Sequence, residues 1–313
     1  MMYNSRVMLH KLTRRTLLAA APAALLMARP DPYPVRLGGP IFLKSEDPRE
    51  LAKEHRRLGY SAAYCPPLNL DDAYRIRATR DAFKAEDVVI AEVGAWRNML
   101  DPDATKRAEN LHYVTERMAL ADAVGARCCV DIAGTYNPKI WYGPHPNNLS
   151  QEFFDATVEN CRKVIDAVKP RNTRFTIEMM GWSLPDGPDA CVKLLHAVDR
   201  PAFAVHLDVC NVINSPARFY RNADVIRECF EKLGPWIASC HAKDLQWVDE
   251  LNVHFLEVIP GRGQVDYKTY LWQLSQLPGD APLMLEHLKT AEEYDEGKQY
   301  ILRTGRAIGV PFA

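Results

Sequence analysis

Eight short apolar runs recur along this chain about every 35 residues, with amphipathic helical stretches between them. The runs are Val35–Gly38, Ala62–Cys65, Val88–Val93, Arg127–Ile132, Phe175–Met179, Ala204–Val209, Ala238–Ala242 and Leu283–His287. They are rich in β-branched or small residues, which suits strands covered on both faces. Pro48–Leu58, Ala104–Val124, Gln151–Val168 and Ala217–Leu233 are examples of the helical stretches. A strand, a helix and two loops take roughly 30 to 35 residues. Eight such units between Pro34 and Ala313 predict an α/β chain folded as a single (β/α)8 TIM barrel. A doubly wound open sheet is the competing arrangement. It usually carries a glycine-rich phosphate loop after its first strand, and Gly38-Gly39-Pro40 is not that fingerprint.

Four of the runs end in residues that can hold a cation: Glu178, Asp208, His241 and Glu286. They are spaced 30, 33 and 45 residues apart, so they are expected at the same height on four consecutive strands. Three carboxylates and an imidazole brought together are costly unless a positive charge sits among them. The C-terminal ends of barrel strands are also where such folds keep their active sites. The set predicts one divalent metal. Hard oxygen donors with one nitrogen suit Mn²⁺ first, with Mg²⁺, Co²⁺ or Zn²⁺ as alternatives.

Alternation extends the site, because residues two apart share a strand face. His206 lies on the same face as Asp208, one layer deeper, and is expected to bond a ligand from behind. Lys243 shares a face with His241. It is expected either to stabilise an oxyanion at the pocket mouth or to pair with Asp244. By the same rule His287 is expected to face the helices. Glu92 and Asp131 end earlier apolar runs and are expected either at substrate hydroxyls or in a structural polar layer. His55, His112 and His196 lie on helical stretches and are given no catalytic role. Gly134–Ser150 and Leu245–Asp266 are the two long loops, and loops at that end of a barrel usually shape the pocket.

Residues 1–30 read as a twin-arginine signal peptide: Arg14 and Arg15 precede an apolar run from Leu17 to Ala28. That run is too short for a bilayer span, which needs about 20 residues. The expectation is an exported, periplasmic protein. The eight cysteines lie mostly in apolar strand or helix patterns and are expected to be mostly free thiols. A net charge of -1 gives no footprint for nucleic acid or for an acidic membrane. Oligomeric state is left open, a homo-oligomer included.

Ile177-Glu178, His206-Leu207-Asp208, His241-Ala242-Lys243-Asp244 and Leu285-Glu286 resemble the motifs of the xylose-isomerase-like barrel superfamily, often labelled sugar phosphate isomerases/epimerases. The segment from Gly261-Arg262-Gly263 to Asp266-Tyr267 adds to the resemblance, which covers nearly all of residues 34–313. It implies a sugar isomerase or epimerase that abstracts an α-proton and passes through a metal-stabilised enediolate. Glu178 and Glu286 would move protons, aided by Lys243. A lyase or dehydratase acting on a keto-sugar or 3-keto-glycoside uses the same first step. A non-catalytic sugar-binding protein is the reading from another class. The candidate substrate contacts are His206, Asn211, Trp182 and Arg262. The chain departs from ketose 3-epimerases at two of their substrate contacts: Asn211 stands where they have His, and Trp247 where they have Arg.

Overall fold

The computed structural model describes residues 31–313. The signal segment expected over residues 1–30 lies outside the described residues. Eight parallel strands close into a barrel: β1 (Leu37–Gly38), β2 (Ala62–Tyr64), β3 (Val89–Gly94), β4 (Cys128–Ile132), β5 (Arg174–Glu178), β6 (Phe203–Leu207), β7 (Ile237–Ala242) and β10 (Leu283–Leu285). β1 pairs with both β2 and β10, which closes the ring. Each expected run is recovered to within two residues. The ring is a (β/α)8 TIM barrel.

Helices α1 (Pro48–Arg57), α2 (Ala73–Ala85), α3 (Ala104–Val124), α4 (Gln151–Val168) and α5 (Pro188–Val198) cover the first strands. The short helices α6 (Val209–Val212) and α7 (Pro216–Tyr220) precede α8 (Asn222–Leu233), α9 (Tyr267–Leu274) and α10 (Ala291–Ala307). Local chemistry sets their ends. Asp103 caps α3 through the Thr105 and Lys106 amides, and Gly125 closes it at φ 76°. The main core lies between strands and helices and includes Val93, Met118, Phe153, Val164, Phe175, Leu194 and Ile301. All eight cysteines are free, seven of them buried. Among the described residues no helix is long and apolar enough to cross a membrane.

Two expectations need correction. Ala217–Leu233 is not one helix: the chain breaks at Arg221 (φ -120°, ψ 31°) between α7 and α8. Asn222 ties this break to the segment before α9, donating to the Gln264 carbonyl and accepting from the Asp266 amide. The stretch from Leu245 to Asp266 is not all loop. It contains the antiparallel hairpin of β8 (Asp244–Trp247) and β9 (Phe255–Val258). Trp247 and Phe255 of the hairpin pack on Phe219 and Tyr220 of α7, with Phe219 stacked on Phe255 and Tyr220 on Trp247. Trp247 is thereby placed in hairpin packing.

α9 braces the strand that carries the site. The buried hydroxyls of Tyr267 and Tyr270 donate to the carbonyls of Lys243 and His241, both at 2.9 Å. Asp244 faces the opposite way from Lys243. It accepts the amides of Leu245, Gly261, Gly263 and Val265, which folds the Gly261–Val265 segment back against the start of β8. A side chain at Gly263 would collide with that carboxylate, so only glycine fits there.

Candidate metal centre and active-site cleft

Glu178, Asp208, His241 and Glu286 converge at the C-terminal mouth of the barrel, with one donor atom from each lying within 4.8 Å of the others. In the pairing register, Glu178 is level with His206, not with Asp208 two residues further on. Barrel strands are tilted and staggered, so equal height along the axis means a shift in register. His241 Nδ1 is the central atom: it lies 3.0 Å from Glu286 Oε2, 3.5 Å from Glu178 Oε1 and 3.6 Å from Asp208 Oδ2. Asp208 divides its two oxygens. Oδ1 caps α6 by accepting the Cys210 and Asn211 amides, and Oδ2 faces the cluster. Glu178 Oε1 accepts from Asn211 Nδ2 at 2.8 Å.

The donor set fits a divalent cation. His241 Nδ1, Asp208 Oδ2 and Glu286 Oε2 are buried and lack a hydrogen-bond partner. Lys243 Nζ lies 2.8 Å from Asp208 Oδ2 and 2.7 Å from Glu286 Oε2. The ammonium partly offsets the charge of these two carboxylates. Three carboxylates and one imidazole, with their free atoms turned to one point, form a possible divalent-metal site.

A polar layer beneath the quartet holds His241 in place. Glu92 Oε1 bonds His206 Nε2 at 2.9 Å and accepts from the Ser239 hydroxyl. Glu92 Oε2 faces His241 Nε2 at 3.4 Å. Directing Nε2 at a carboxylate leaves Nδ1 for the quartet, which is how metal-ligating histidines are usually oriented. Burial alone would raise the Glu92 carboxyl, but the charges of His206 and His241 outweigh it and hold Glu92 far below the usual carboxylate range. Asp208 is likewise held down, against burial, by Lys243 and His241. His241 is driven up, against burial, by Glu92, Glu178 and Glu286.

Glu178 and Glu286 also line a cleft of about 540 Å³, together with the polar residues Asn211, Lys243, Glu257 and His287 and the aromatic residues Trp96, Trp141, Tyr142 and Trp182. That size is ordinary for a small-molecule site. A profile of the xylose isomerase-like TIM barrel family matches residues 50–304. The chain belongs to that family. A sequence comparison with curated proteins finds no match. Solved structures share the fold at low identity. A xylose isomerase-like TIM barrel protein from Mycobacterium smegmatis, in complex with magnesium, is 18% identical at TM-score 0.60, over 84% of this chain and 89% of that one. The probable 3-DHS dehydratase from Bacillus anthracis is 16% identical at TM-score 0.62, over 87% and 99%. A 3-keto-D-glucoside 4-epimerase from E. coli is 12% identical at TM-score 0.60, over 86% and 99%.

Within this xylose isomerase-like barrel the sequence-derived candidates separate. Lys243 turns into the cluster, and its alternative partner Asp244 points away. Asn211 touches Glu178. Trp182 lines the cleft, with Nε1 donating to the Tyr142 carbonyl at 2.6 Å. His206 was expected to bond a metal ligand from one layer deeper and was also named among the substrate contacts. It is fully buried under His241, with ring centroids 4.1 Å apart, and bonds Glu92 rather than reaching the cleft. Arg262, also expected at the substrate, forms a bidentate pair with Glu296 of α10 at 2.6 and 2.7 Å and does not line the cleft. Of the aromatic residues in the loop after β4, Trp141 and Tyr142 reach the cleft, whereas Tyr136 packs edge-on against Phe153.

Sequence reasoning did not single out Glu257 of β9, and it missed a further pair, Trp96 and His287. Both follow the end of a strand and adopt left-handed backbone, with φ 46° and 61°. That turn aims each side chain into the cleft. Asp131 braces the first of these turns: its Oδ1 accepts the Arg97 amide from behind the barrel wall. Elsewhere positive φ serves structure: Lys169 and Asp199 cap helices, and Asp280 pairs with Arg36 and Arg127.

Proposed function

We propose that this protein is a divalent-metal-dependent isomerase or epimerase of a neutral keto-sugar or glycoside. One observation carries the reading: Glu178 and Glu286 belong to the metal quartet and also line the cleft. A bound cation, with Mn²⁺ the first choice and Mg²⁺, Co²⁺ or Zn²⁺ the alternatives, supplies Lewis acidity that polarises a substrate carbonyl. One glutamate takes the proton from the carbon next to that carbonyl, and the other returns a proton to the opposite face or to the neighbouring carbon. Asn211 fixes the rotamer of Glu178 through Oε1. Lys243, buried between Asp208 and Glu286, also lines the cleft, where its ammonium would offset negative charge developing on a substrate oxygen. Trp96, Trp141, Tyr142 and Trp182 offer apolar surface to the C–H face of a sugar and help exclude water.

A lyase using the same proton abstraction is the second reading, favoured by the likeness to a probable dehydratase. Metal-loaded protein incubated in D₂O with keto-sugars and 3-keto-glycosides, followed by NMR, separates the two. Deuterium at the α-carbon of a product that keeps every substrate atom identifies an isomerase or epimerase. Deuterium accompanied by loss of water or aglycone identifies a lyase. No exchange into any member of the panel sinks both.

The substrate belongs outside the cytoplasm in this reading, because residues 1–30 carry the twin-arginine signature. Changing Arg14 and Arg15 together to Lys should strand the uncleaved precursor in the cytoplasm, since the receptor reads the paired guanidinium groups. Unimpaired export of the double variant on cell fractionation would refute that route.

A further inference from the structure

We propose that Glu257 and His287 form a hydroxyl-reading clamp that selects a neutral glycoside in its ring form over sugar phosphates and sugar acids. The inference deepens the sugar-site reading above and rests on it. Both residues line the cleft, one from the β8–β9 hairpin and the other from just beyond β10. His287 Nδ1 lies 3.0 and 3.2 Å from the two oxygens of Glu257. That bond fixes the ring and leaves Nε2 facing the cleft, 3.5 Å from Glu286 Oε2. At 3.5 Å the two groups interact electrostatically but are too far apart for a good hydrogen bond. His287 and Glu257 keep 56% and 37% of their side chains exposed, so neither is used up in packing.

The backbone supports the same assignment. A histidine at φ 61° occupies a region that bulky residues rarely adopt, and such outliers gather at functional sites. The turn moves the imidazole from the helix side, where strand alternation would put it, to the cleft side beside Glu286.

The chemistry of the clamp narrows the ligand. With Nδ1 donating to Glu257, Nε2 of the neutral ring accepts, and a sugar hydroxyl can donate to it while a neighbouring hydroxyl donates to Glu257. A phosphate or carboxylate oxygen only accepts, and it would meet the carboxylates of Glu257 and Glu286. The one lysine in the cleft, Lys243, already lies against Asp208 and Glu286. No other lysine or arginine lines the cleft among the described residues. Trp141, Tyr142 and Trp182 form a contiguous aromatic cluster in the same cleft, Trp141 edge-on to Tyr142 and Trp182 bonded to the Tyr142 carbonyl. A pair that reads hydroxyls and a cluster that takes C–H surface together match a pyranoside ring with its aglycone.

Isothermal titration of the metal-loaded protein tests this without relying on turnover. The probes are methyl glucoside, methyl galactoside and methyl mannoside, each beside its 6-phosphate and its uronate. At least one neutral glycoside should bind about tenfold or more tightly than its charged counterparts, the scale of one buried polar mismatch. Glu257→Gln and His287→Asn should each weaken that glycoside by about tenfold or more while leaving metal content unchanged. Asn tolerates positive φ, so the second variant keeps the turn, and His287→Gly provides the same turn with no ring. Equal affinity for neutral and charged probes, or unchanged affinity in both His287 variants, overturns the clamp. Intact glycoside binding with no deuterium exchange into any sugar counts against the isomerase reading alone.

Discussion

Asp208→Ala protein should purify almost free of divalent metal, whereas the parent protein should carry close to one ion per chain. Asp208 is fully buried, and its two oxygens do separate jobs. The substitution removes the oxygen that faces His241 and the cap on α6 together. Replacing an outer partner of a metal site typically costs about 10- to 100-fold in affinity, so loss of a donor should exceed that range. Glu92→Gln supplies the comparison. It leaves every donor in place but weakens the grip on His241 Nε2, so its loss should fall within that 10- to 100-fold window. Asp208→Asn keeps an oxygen for the α6 cap and should be partly rescued by excess metal, which separates coordination from folding.

The same site fixes the sign of the pH effect. Surrounding carboxylates hold a proton on His241 well above the usual imidazole range, and a cation must displace that proton. Metal affinity should therefore fall as pH is lowered. Elemental analysis of the three proteins, with metal titrations at several pH values, checks both the order and the slope. A metal-free parent protein that none of Mn²⁺, Mg²⁺, Co²⁺ or Zn²⁺ activates would remove the basis for the site.

The quartet was legible because four strands end in donor side chains and strand alternation points them the same way. That logic applies only where the backbone is a strand. β10 ends at Leu285, so Glu286 and His287 lie beyond it, and a left-handed residue there reverses the direction that alternation assigns. Trp96 follows β3 in the same way. Nothing in the residue types of either segment marks such a turn, because glycine and asparagine are its usual signals. The β8–β9 hairpin was hidden for a different reason. Its strands are four residues each, too short for a period to stand out from a loop. Arg262 shows the limit of motif reading: its neighbours Gly261 and Gly263 place the backbone against Asp244, but its own side chain is claimed by Glu296 across the surface.

Glu178→Gln and Glu286→Gln should each lower turnover by about 100- to 10,000-fold, the usual worth of a positioned acid or base, while keeping most of the bound metal. Glutamine preserves an oxygen at the same reach but cannot accept a proton at neutral pH. The two variants should fail differently. The one that lacks the base should stop solvent deuterium from entering the substrate α-carbon. The one that lacks only the returning acid should still exchange that proton while making no product. Their surroundings differ as well. Glu178 Oε1 is bonded to Asn211 and sits 4.0 Å from Lys243 Nζ, whereas Glu286 Oε2 lies 2.7 Å from Lys243 and 3.5 Å from His287. Glu286 is thus the carboxylate more closely surrounded by cationic or hydrogen-bonding side chains, and it has the larger solvent-exposed fraction, 17% against 5%. Access to water favours Glu286 as the base whose abstracted proton equilibrates with solvent, and the more enclosed Glu178 as the acid that reprotonates the opposite face. Single-turnover exchange in D₂O distinguishes them: Glu286→Gln should lose wash-in of deuterium, and Glu178→Gln should keep it. If both variants exchange and turn over at near-parent rates, the proton carriers lie elsewhere in the cleft, and Lys243 is the next group to replace.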